Sequence, residues 1–382
     1  MSEVVSYELK GNIGVISVNN PPVNALAQVV REGILNSIQA AQEDASKAIV
    51  LRCEGRTFIA GADITEFGKP PKDPGLPIVL DAIENSSKPV IAAIHGTALG
   101  GGFEVSLACH YRCAVASAKV GLPEVKLGLL PGAGGTQRVP RIAGVKAALD
   151  MITSGNPIAA CKAHTMGLVD EIIEADDLEA GAIEYAKGLV ESGAPLKRIR
   201  DITIDPATIE ADFFANARKQ LARRARGQIA QDKIVSCIEA AVELPMDEGL
   251  QRERELFREL ITSPESAAMR HIFFAERRAA KIKDLSKDTP VRDIAKVAII
   301  GGGTMGGGIA MCFANVGIPV VMLEINDEAL QRGKDIIRKN YNITLQKGKM
   351  SEDQLEQRIG LISGTTDYTD ISDVDLVIEA VF

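Results

Sequence analysis

Apolar positions follow two rhythms along the chain. Short, mostly apolar runs occur at Ile13–Val18 (IGVISV), Ala48–Arg52 (AIVLR) and Pro89–Ile94 (PVIAAI). Runs of that length without polar alternation suit strands buried on both faces by helices. Between them, Gln28–Ala45 and Pro77–Asn85 space their apolar residues at helical intervals, which predicts one helix in each. Strands alternating with helices predict an α/β architecture for residues 1–190. From about Pro195 to Lys287 the strand runs stop. That stretch is charged and helical, as in EADFFANARKQLARRARGQIAQDKI and in RERELFR at 252–258. DTPVRD then reads as a linker, and AKVAII at Ala295–Ile300 opens a second strand, glycine loop and helix. The expected map is an α/β core at 1–190, a helical segment and linker at 191–287, and a second α/β domain at 288–382.

Length and composition narrow the class. A chain of 382 residues exceeds one ordinary domain. With 46% hydrophobic and 25% charged residues it has the balance of a soluble globular protein. A net charge of −8 argues against wholesale nucleic-acid binding, though a local basic pocket for an anionic ligand is compatible with it. The six cysteines contain no C-x-x-C pair, and only four histidines are present. No metal is therefore expected, and the thiols read as reduced, in an intracellular compartment. MSEVVSYELKG lacks the pattern of a secretory signal, and no apolar run approaches the ~20 residues of a membrane span.

Two glycine clusters carry the candidate chemistry. The first, LGGGFE at Leu99–Glu104, follows a strand. Successive glycines there allow a sharp turn and a close approach of backbone to ligand. The first N–H groups of a helix starting at that point would have no partner within the helix. With the positive end of the helix dipole, they suit a developing oxyanion. Glu104 would lie in the first turn, beside that oxyanion site. Glu124 sits in VGLPEVKLGLLPGAGG between a proline and an apolar run, where a carboxyl group tends to keep its proton. The small-residue loop FIAGAD at Phe58–Asp63 offers a second N–H donor at Ala62. Taken singly, each feature also fits a plain strand–helix turn or a glutamate at a helix start.

Together the segments FIAGADITEF at 58–67, KPVIAAIHGTALGGGFEVSLACHYRCA at 88–114 and GLPEVKLGLLPGAGGTQRVPRIAG at 121–144 resemble the crotonase (enoyl-CoA hydratase/isomerase) superfamily. The resemblance implies a ββα spiral core and a coenzyme A thioester substrate. It also implies an oxyanion hole made by the N–H groups of Ala62 and Gly101, with Glu104 and Glu124 holding a water between them. Hydration of 2-trans-enoyl-CoA to 3-hydroxyacyl-CoA is the reaction implied, with Δ3,Δ2-enoyl-CoA isomerisation by Glu124 as a second activity. Coenzyme A contacts are expected from Val23, Asn24, Ala25 and Ala60. Asp63 is expected to fix its loop.

The second cluster, VAIIGGGTMGGG, places Gly301, Gly303 and Gly306 in a G-x-G-x-x-G pattern after a strand. The next strand, PVVML at Pro319–Leu323, ends at Glu324, an acid placed for the ribose of NAD and unfavourable to the 2′-phosphate of NADP. A cofactor-free βαβ unit is the alternative. GGGTMGGGIA and VDLVIEAVF resemble the NAD domain of L-3-hydroxyacyl-CoA dehydrogenases. By that resemblance this is a partial Rossmann domain, Met305, Ala380 and Val381 also line the cofactor, and the rest of the dehydrogenase is expected beyond Phe382. A crotonase domain followed by such a domain is the order of multifunctional β-oxidation enzymes. A bacterial-type cytoplasmic or a peroxisomal matrix location is implied, as a monomer or in assembly with a thiolase.

Two competing functions keep the same fold, a thioester hydrolase and a non-catalytic RNA-binding homologue. The intact glutamate pair disfavours both, and the acidic charge disfavours the second. The basic cluster Arg218, Lys219, Arg223, Arg224 and Arg226 reads chiefly as a solvated helix face. His95, His110, His164 and His271 lack triad partners and are expected to be structural.

Overall fold

Side chains that alternate direction along a strand can fill two hydrophobic layers at once, and the apolar runs do this. The computed structural model describes residues 4–381 apart from 67–68, 71, 175–176, 226, 280 and 287. Strands β1 (Val5–Lys10), β2 (Ile13–Val18), β3 (Ala48–Cys53) and β4 (Val90–Ile94) lie side by side. A short β5 (Thr97–Leu99) follows, and β6 (Tyr111–Val115) extends the main sheet beyond β4. Strands β7 (Lys119–Gly121) and β8 (Ile158–Ala159) join β5 in a small second sheet, and β9 (Glu171–Ile173) completes the main one. All pairs of the main sheet are parallel except β1 with β2.

On β3, Ile49 and Leu51 pack into the larger core with Val30 and Ile34 of helix α1 (Gln28–Glu43). Ala48 and Val50 face the other layer with Ile13, Ile91 and Tyr111. Helices α2 (Leu76–Glu84), α3 (Gly101–Ala108), α4 (Gly135–Ala143), α5 (Val145–Ser154) and α6 (Ala160–Thr165) follow in the chain, and α7 (Leu178–Glu191) covers the second face with Ala182 and Ala186.

The helical segment does not stand apart. Helices α8 (Phe213–Ala225), α9 (Ala230–Glu243), α10 (Met246–Ile261) and α11 (Pro264–Ala279) belong to the same compact unit, Met1–Lys281. Ile234, Val235, Cys237 and Ile238 of α9 and Leu256 and Leu260 of α10 share the core of the sheet. The composition changes at 190/191, but the hydrophobic core continues across it. The second unit begins at Ile282, a few residues before the expected 288.

That unit is a parallel sheet in the order β12 (Ile362–Thr365), β11 (Val320–Leu323), β10 (Val297–Ile300), β13 (Leu376–Glu379). Its helices are α12 (Thr304–Asn315), α13 (Asp327–Gln346) and α14 (Glu352–Gly360). Val297, Ile299, Val320, Met322, Ile337 and Tyr341 form its core.

Candidate active site

Helix α3 starts hard against the 58–63 loop. Gly100, just before it, has φ 54° and ψ −129°, a conformation that favours glycine. A Cβ on Gly102 would lie 2.2 Å from Ile59 O, so only glycine lets the helix approach that closely. The loop is held by Ala60 N donating to Val23 O at 3.1 Å and Leu26 N to Gly61 O at 3.0 Å. Gly101 is the first helical residue and has no intrahelical acceptor for its N–H. Its Cβ, if it had one, would sit 3.7 Å from Ala62 N. The peptides of Ala62 and Gly101 are therefore neighbours. Among the described residues neither N–H has a backbone acceptor. Two neighbouring amides without a backbone acceptor are the kind of donors an oxyanion site uses.

The two glutamates flank the start of the same helix. Glu104, one turn along α3, is 3% exposed. Its Oε1 accepts the N–H groups of Ala133 and Gly135, each at 2.8 Å. Burial raises its pKa, while those two amides and the Arg138 charge favour the ionised form. Glu124 opens a short 3₁₀ turn, Glu124–Leu127, and its Oε1 would be 2.9 Å from a Cβ on Gly100. Its Oε2 is buried and has no hydrogen-bond partner among the described residues. Burial, and after it the charge on Glu104, pushes the Glu124 carboxyl well above the usual carboxylate range. Both carboxyls are thus raised, Glu124 the further, so Glu104 is the one of the pair that ionises more readily.

Three charged groups missing from the motif reading complete the surroundings. Glu253 of α10 is fully buried and accepts Gly134 N at 2.6 Å, Thr136 N at 3.1 Å and the Thr136 hydroxyl. Arg138 of α4 is buried, pairs with Glu84 of α2 at 2.8 Å, and donates to Ala133 O at 3.0 Å. A cavity of about 370 Å³ lies beyond Gly132 and Ala133, lined also by Arg138, Arg200 and Arg254. Neither Glu104 nor Glu124 lines it, so the carboxyl pair rather than this cavity defines the site.

The remaining expected residues divide by role. Asn24 turns its side chain inward: Nδ2 donates to Glu54 O at 2.8 Å and Thr57 O at 2.9 Å, and Oδ1 accepts Asn20 N. Any ligand contact there must come from backbone. Ala25 O accepts Asn20 Nδ2, which ties it to the same turn. Asp63 accepts Thr65 N at 2.9 Å and Thr65 Oγ1 at 2.7 Å, fixing the turn as a loop anchor does. Arg218 is paired with Asp232 and Glu239, while Lys219 and Arg223 are exposed. Arg226 and the side chain of Arg224 lie outside the described residues. Three histidine rings bond backbone: His110 Nδ1 accepts Val90 N, His95 meets Gly55 O and His164 meets Val169 O.

In the second unit, Gly306 packs so tightly that a Cβ would fall 1.7 Å from Gly301 O. Gly301 lies against Ala380 and Val381 at the end of β13. Gly303, Thr304 and Met305 are exposed at the start of α12, a helix N-terminus suited to a pyrophosphate. Glu324 Oε1, at the end of β11, accepts Gly302 N at 2.6 Å. The glycine loop, the helix start and the strand-end acid thus converge, and they fit a dinucleotide.

Comparison with known proteins agrees with both halves. Residues 8–203 match the enoyl-CoA hydratase/isomerase family model, and residues 296–382 match that of the 3-hydroxyacyl-CoA dehydrogenase NAD binding domain. The chain belongs to the enoyl-CoA hydratase/isomerase family, joined here to sequence of the dehydrogenase NAD-binding kind. It is 40% identical over 383 residues to the peroxisomal bifunctional enzyme of Danio rerio, covering 98% of this chain and 52% of the relative. The peroxisomal fatty acid beta-oxidation multifunctional protein AIM1 of Arabidopsis thaliana is 36% identical, covering 97% and 53%. The chain therefore spans about half the length of these relatives. A solved enoyl-CoA hydratase from Mycobacterium avium subsp. paratuberculosis K-10 superposes with a TM-score of 0.52 at 25% identity, over 71% of this chain and 96% of that one. Among the described residues no helix is long and apolar enough to cross a membrane.

Proposed function

We propose that the first unit hydrates 2-trans-enoyl-CoA to 3-hydroxyacyl-CoA. The observation that carries this reading is the unequal glutamate pair beside two free amides. The thioester oxygen would accept the N–H groups of Ala62 and Gly101, which oppose the enolate charge as it forms. Oε1 of Glu104 is occupied by two amides, which leaves Oε2 to take a proton from water attacking C3. Glu124 then delivers its proton to C2. The hydroxide equivalent ends on C3 and the proton on C2, so the addition balances. In its ionised form Glu124 would also support Δ3,Δ2-isomerisation, taking a proton from C2 and returning it to C4. The intact pair favours hydration over thioester hydrolysis. Loss of absorbance of crotonyl-CoA at its enoyl-thioester band tests the reading, and an inactive, folded chain sinks it.

For the second unit the reading is NAD binding by Gly301, Gly303, Met305, Gly306, Glu324, Ala380 and Val381. Bound NAD would supply a hydride acceptor for a 3-hydroxyacyl-CoA, the product of the first reaction. The named relatives support a place in fatty-acid β-oxidation and a peroxisomal rather than a bacterial-type cytoplasmic location.

A further inference from the structure

We propose that Glu253 is a positioning residue for Glu104, acting through the loop that the two carboxylates share. The proposal rests on the hydration reading above. Four consecutive amides of that loop alternate between two acceptors. Ala133 N and Gly135 N go to Glu104 Oε1, whereas Gly134 N goes to Glu253 Oε1 and Thr136 N to Glu253 Oε2. The Thr136 hydroxyl also donates to Glu253. Neither acceptor is local: Glu104 comes from α3 and Glu253 from α10, while the loop opens α4.

The helix start explains why two acids converge there. Gly134 is the N-cap of α4, and no side chain of its own caps the helix. Its unpaired N–H groups and dipole favour negative charge. Between them the two carboxyl groups satisfy all four donors, and each fixes the peptide planes that the other uses. Rotating the Gly134 peptide to leave Glu253 would tilt the Ala133 and Gly135 amides away from Glu104. Gly134 adopts φ 101°, a value that needs this support, and a Cβ on it would collide with Arg138 Nη1 at 2.0 Å. Arg138 grips the same loop from its carbonyl side at Ala133 O.

Glu253 has no access to solvent, and burying a carboxyl group is costly unless its hydrogen bonds are met. Burial, then the Glu104 charge, raises its pKa to about 8. An apolar side chain of similar size would avoid that cost on the otherwise apolar stripe of α10, which includes Met246, Leu256 and Leu260. What an apolar residue would not supply is an acceptor for Gly134 and Thr136. The placement makes sense as a support for the base of the reaction.

The test uses the full chain with Glu253→Gln and, separately, Thr136→Val. Glutamine keeps one acceptor for Gly134 N but turns an N–H group towards Thr136 N or its hydroxyl. Hydration of crotonyl-CoA should lose roughly 100-fold in kcat, since small misplacements of a reacting group cost about that much. KM, and the Kd of butyryl-CoA by calorimetry, should stay within about threefold, because the oxyanion amides and the thioester contacts are untouched. Thr136→Val should lose roughly tenfold in kcat with the same split. Unchanged kcat in either folded variant, or a parallel loss of kcat and butyryl-CoA affinity, overturns the proposal while the hydration reading stands. A wild-type chain that binds butyryl-CoA without hydrating crotonyl-CoA overturns that reading first and this one with it.

Discussion

Two amides converge on Glu104 Oε1, whereas the buried Oε2 of Glu124 has no partner among the described residues. The difference sets the direction of proton flow. Hydrogen bonds to the ionised form favour a carboxylate at Glu104, and the charge so held helps to keep the proton on Glu124. On the proposed mechanism, identical side chains would become base and acid through their surroundings alone.

Glutamine at each position should separate the two roles. Glu124→Gln is expected to abolish hydration and isomerisation together, because hydration needs its proton and isomerisation needs its carboxylate as the base that carries one. Glu104→Gln should abolish hydration and leave measurable isomerisation. Each loss should fall in the ~10²–10⁴-fold range of a general acid–base step. The comparison needs only crotonyl-CoA and a 3-enoyl-CoA as substrates. Hydration surviving in either variant would remove that residue from the mechanism.

The pH profile should be a bell displaced upward. Hydration needs Glu104 ionised and Glu124 protonated, so activity rises through the first ionisation and falls through the second. Both pKa values are raised, Glu124 the further of the two. Both limbs of kcat/KM for crotonyl-CoA should therefore lie above the ordinary carboxylate range near ~4.3. The limbs report the coupled pair rather than either residue alone. An acidic limb at ordinary carboxylate pH would contradict the assignment.

Gly101→Pro would remove one of the two proposed oxyanion donors at a position where a helix tolerates proline. Gly101 is the first residue of α3, so its N–H serves no intrahelical bond. The new ring meets Leu26 and Leu76, whose methyl groups lie 3.1 Å and 3.2 Å from a Cβ placed there. Activity should fall about 10²–10³-fold, the usual cost of one such donor. Circular dichroism should show the helical content unchanged. A folded variant with full activity would place the donor elsewhere.

Much of this arrangement is legible in the amino-acid sequence. The run IGVISV is β2 to the residue, because both ends of the strand, Ile13 and Val18, are apolar and buried. Glycines and apolar neighbours within a few positions mark Glu104 and Glu124 as candidates, and the family resemblance joins them into a pair. Strands β5, β7 and β8 leave no such mark, since two or three residues show no periodicity. Glu253 lies 149 positions beyond Glu104, inside the charged stretch RERELFR. Its signal is present but faint. Gly249, Glu253, Leu256 and Leu260 recur at helical spacing on the buried face of α10, and one acid on an otherwise apolar stripe marks a buried partner. The pairing of Arg138 with Glu84 depends on how α4 meets α2, which local spacing does not encode.

The final prediction concerns the acid at the end of β11. Glu324 is bonded to Gly302 N at 2.6 Å, which already holds its carboxylate over the glycine loop where a ribose would lie. A ribose 2′-hydroxyl donating to it forms a charge-assisted bond, worth about 1.5–3 kcal/mol. The 2′-phosphate of NADP would instead meet a negative charge. Calorimetric titration should therefore show NAD binding in clear preference to NADP. Glu324→Ala should weaken NAD binding by roughly 10–100-fold, the same energy expressed as affinity. It should weaken NADP less, because for that ligand it also removes a repulsion. Losing Glu324 also frees the Gly302 amide, so circular dichroism must show that the second unit remains folded. Equal affinity for the two dinucleotides in the wild-type chain, or an unchanged NAD affinity in the variant, would detach Glu324 from cofactor recognition and leave it as a loop fastener.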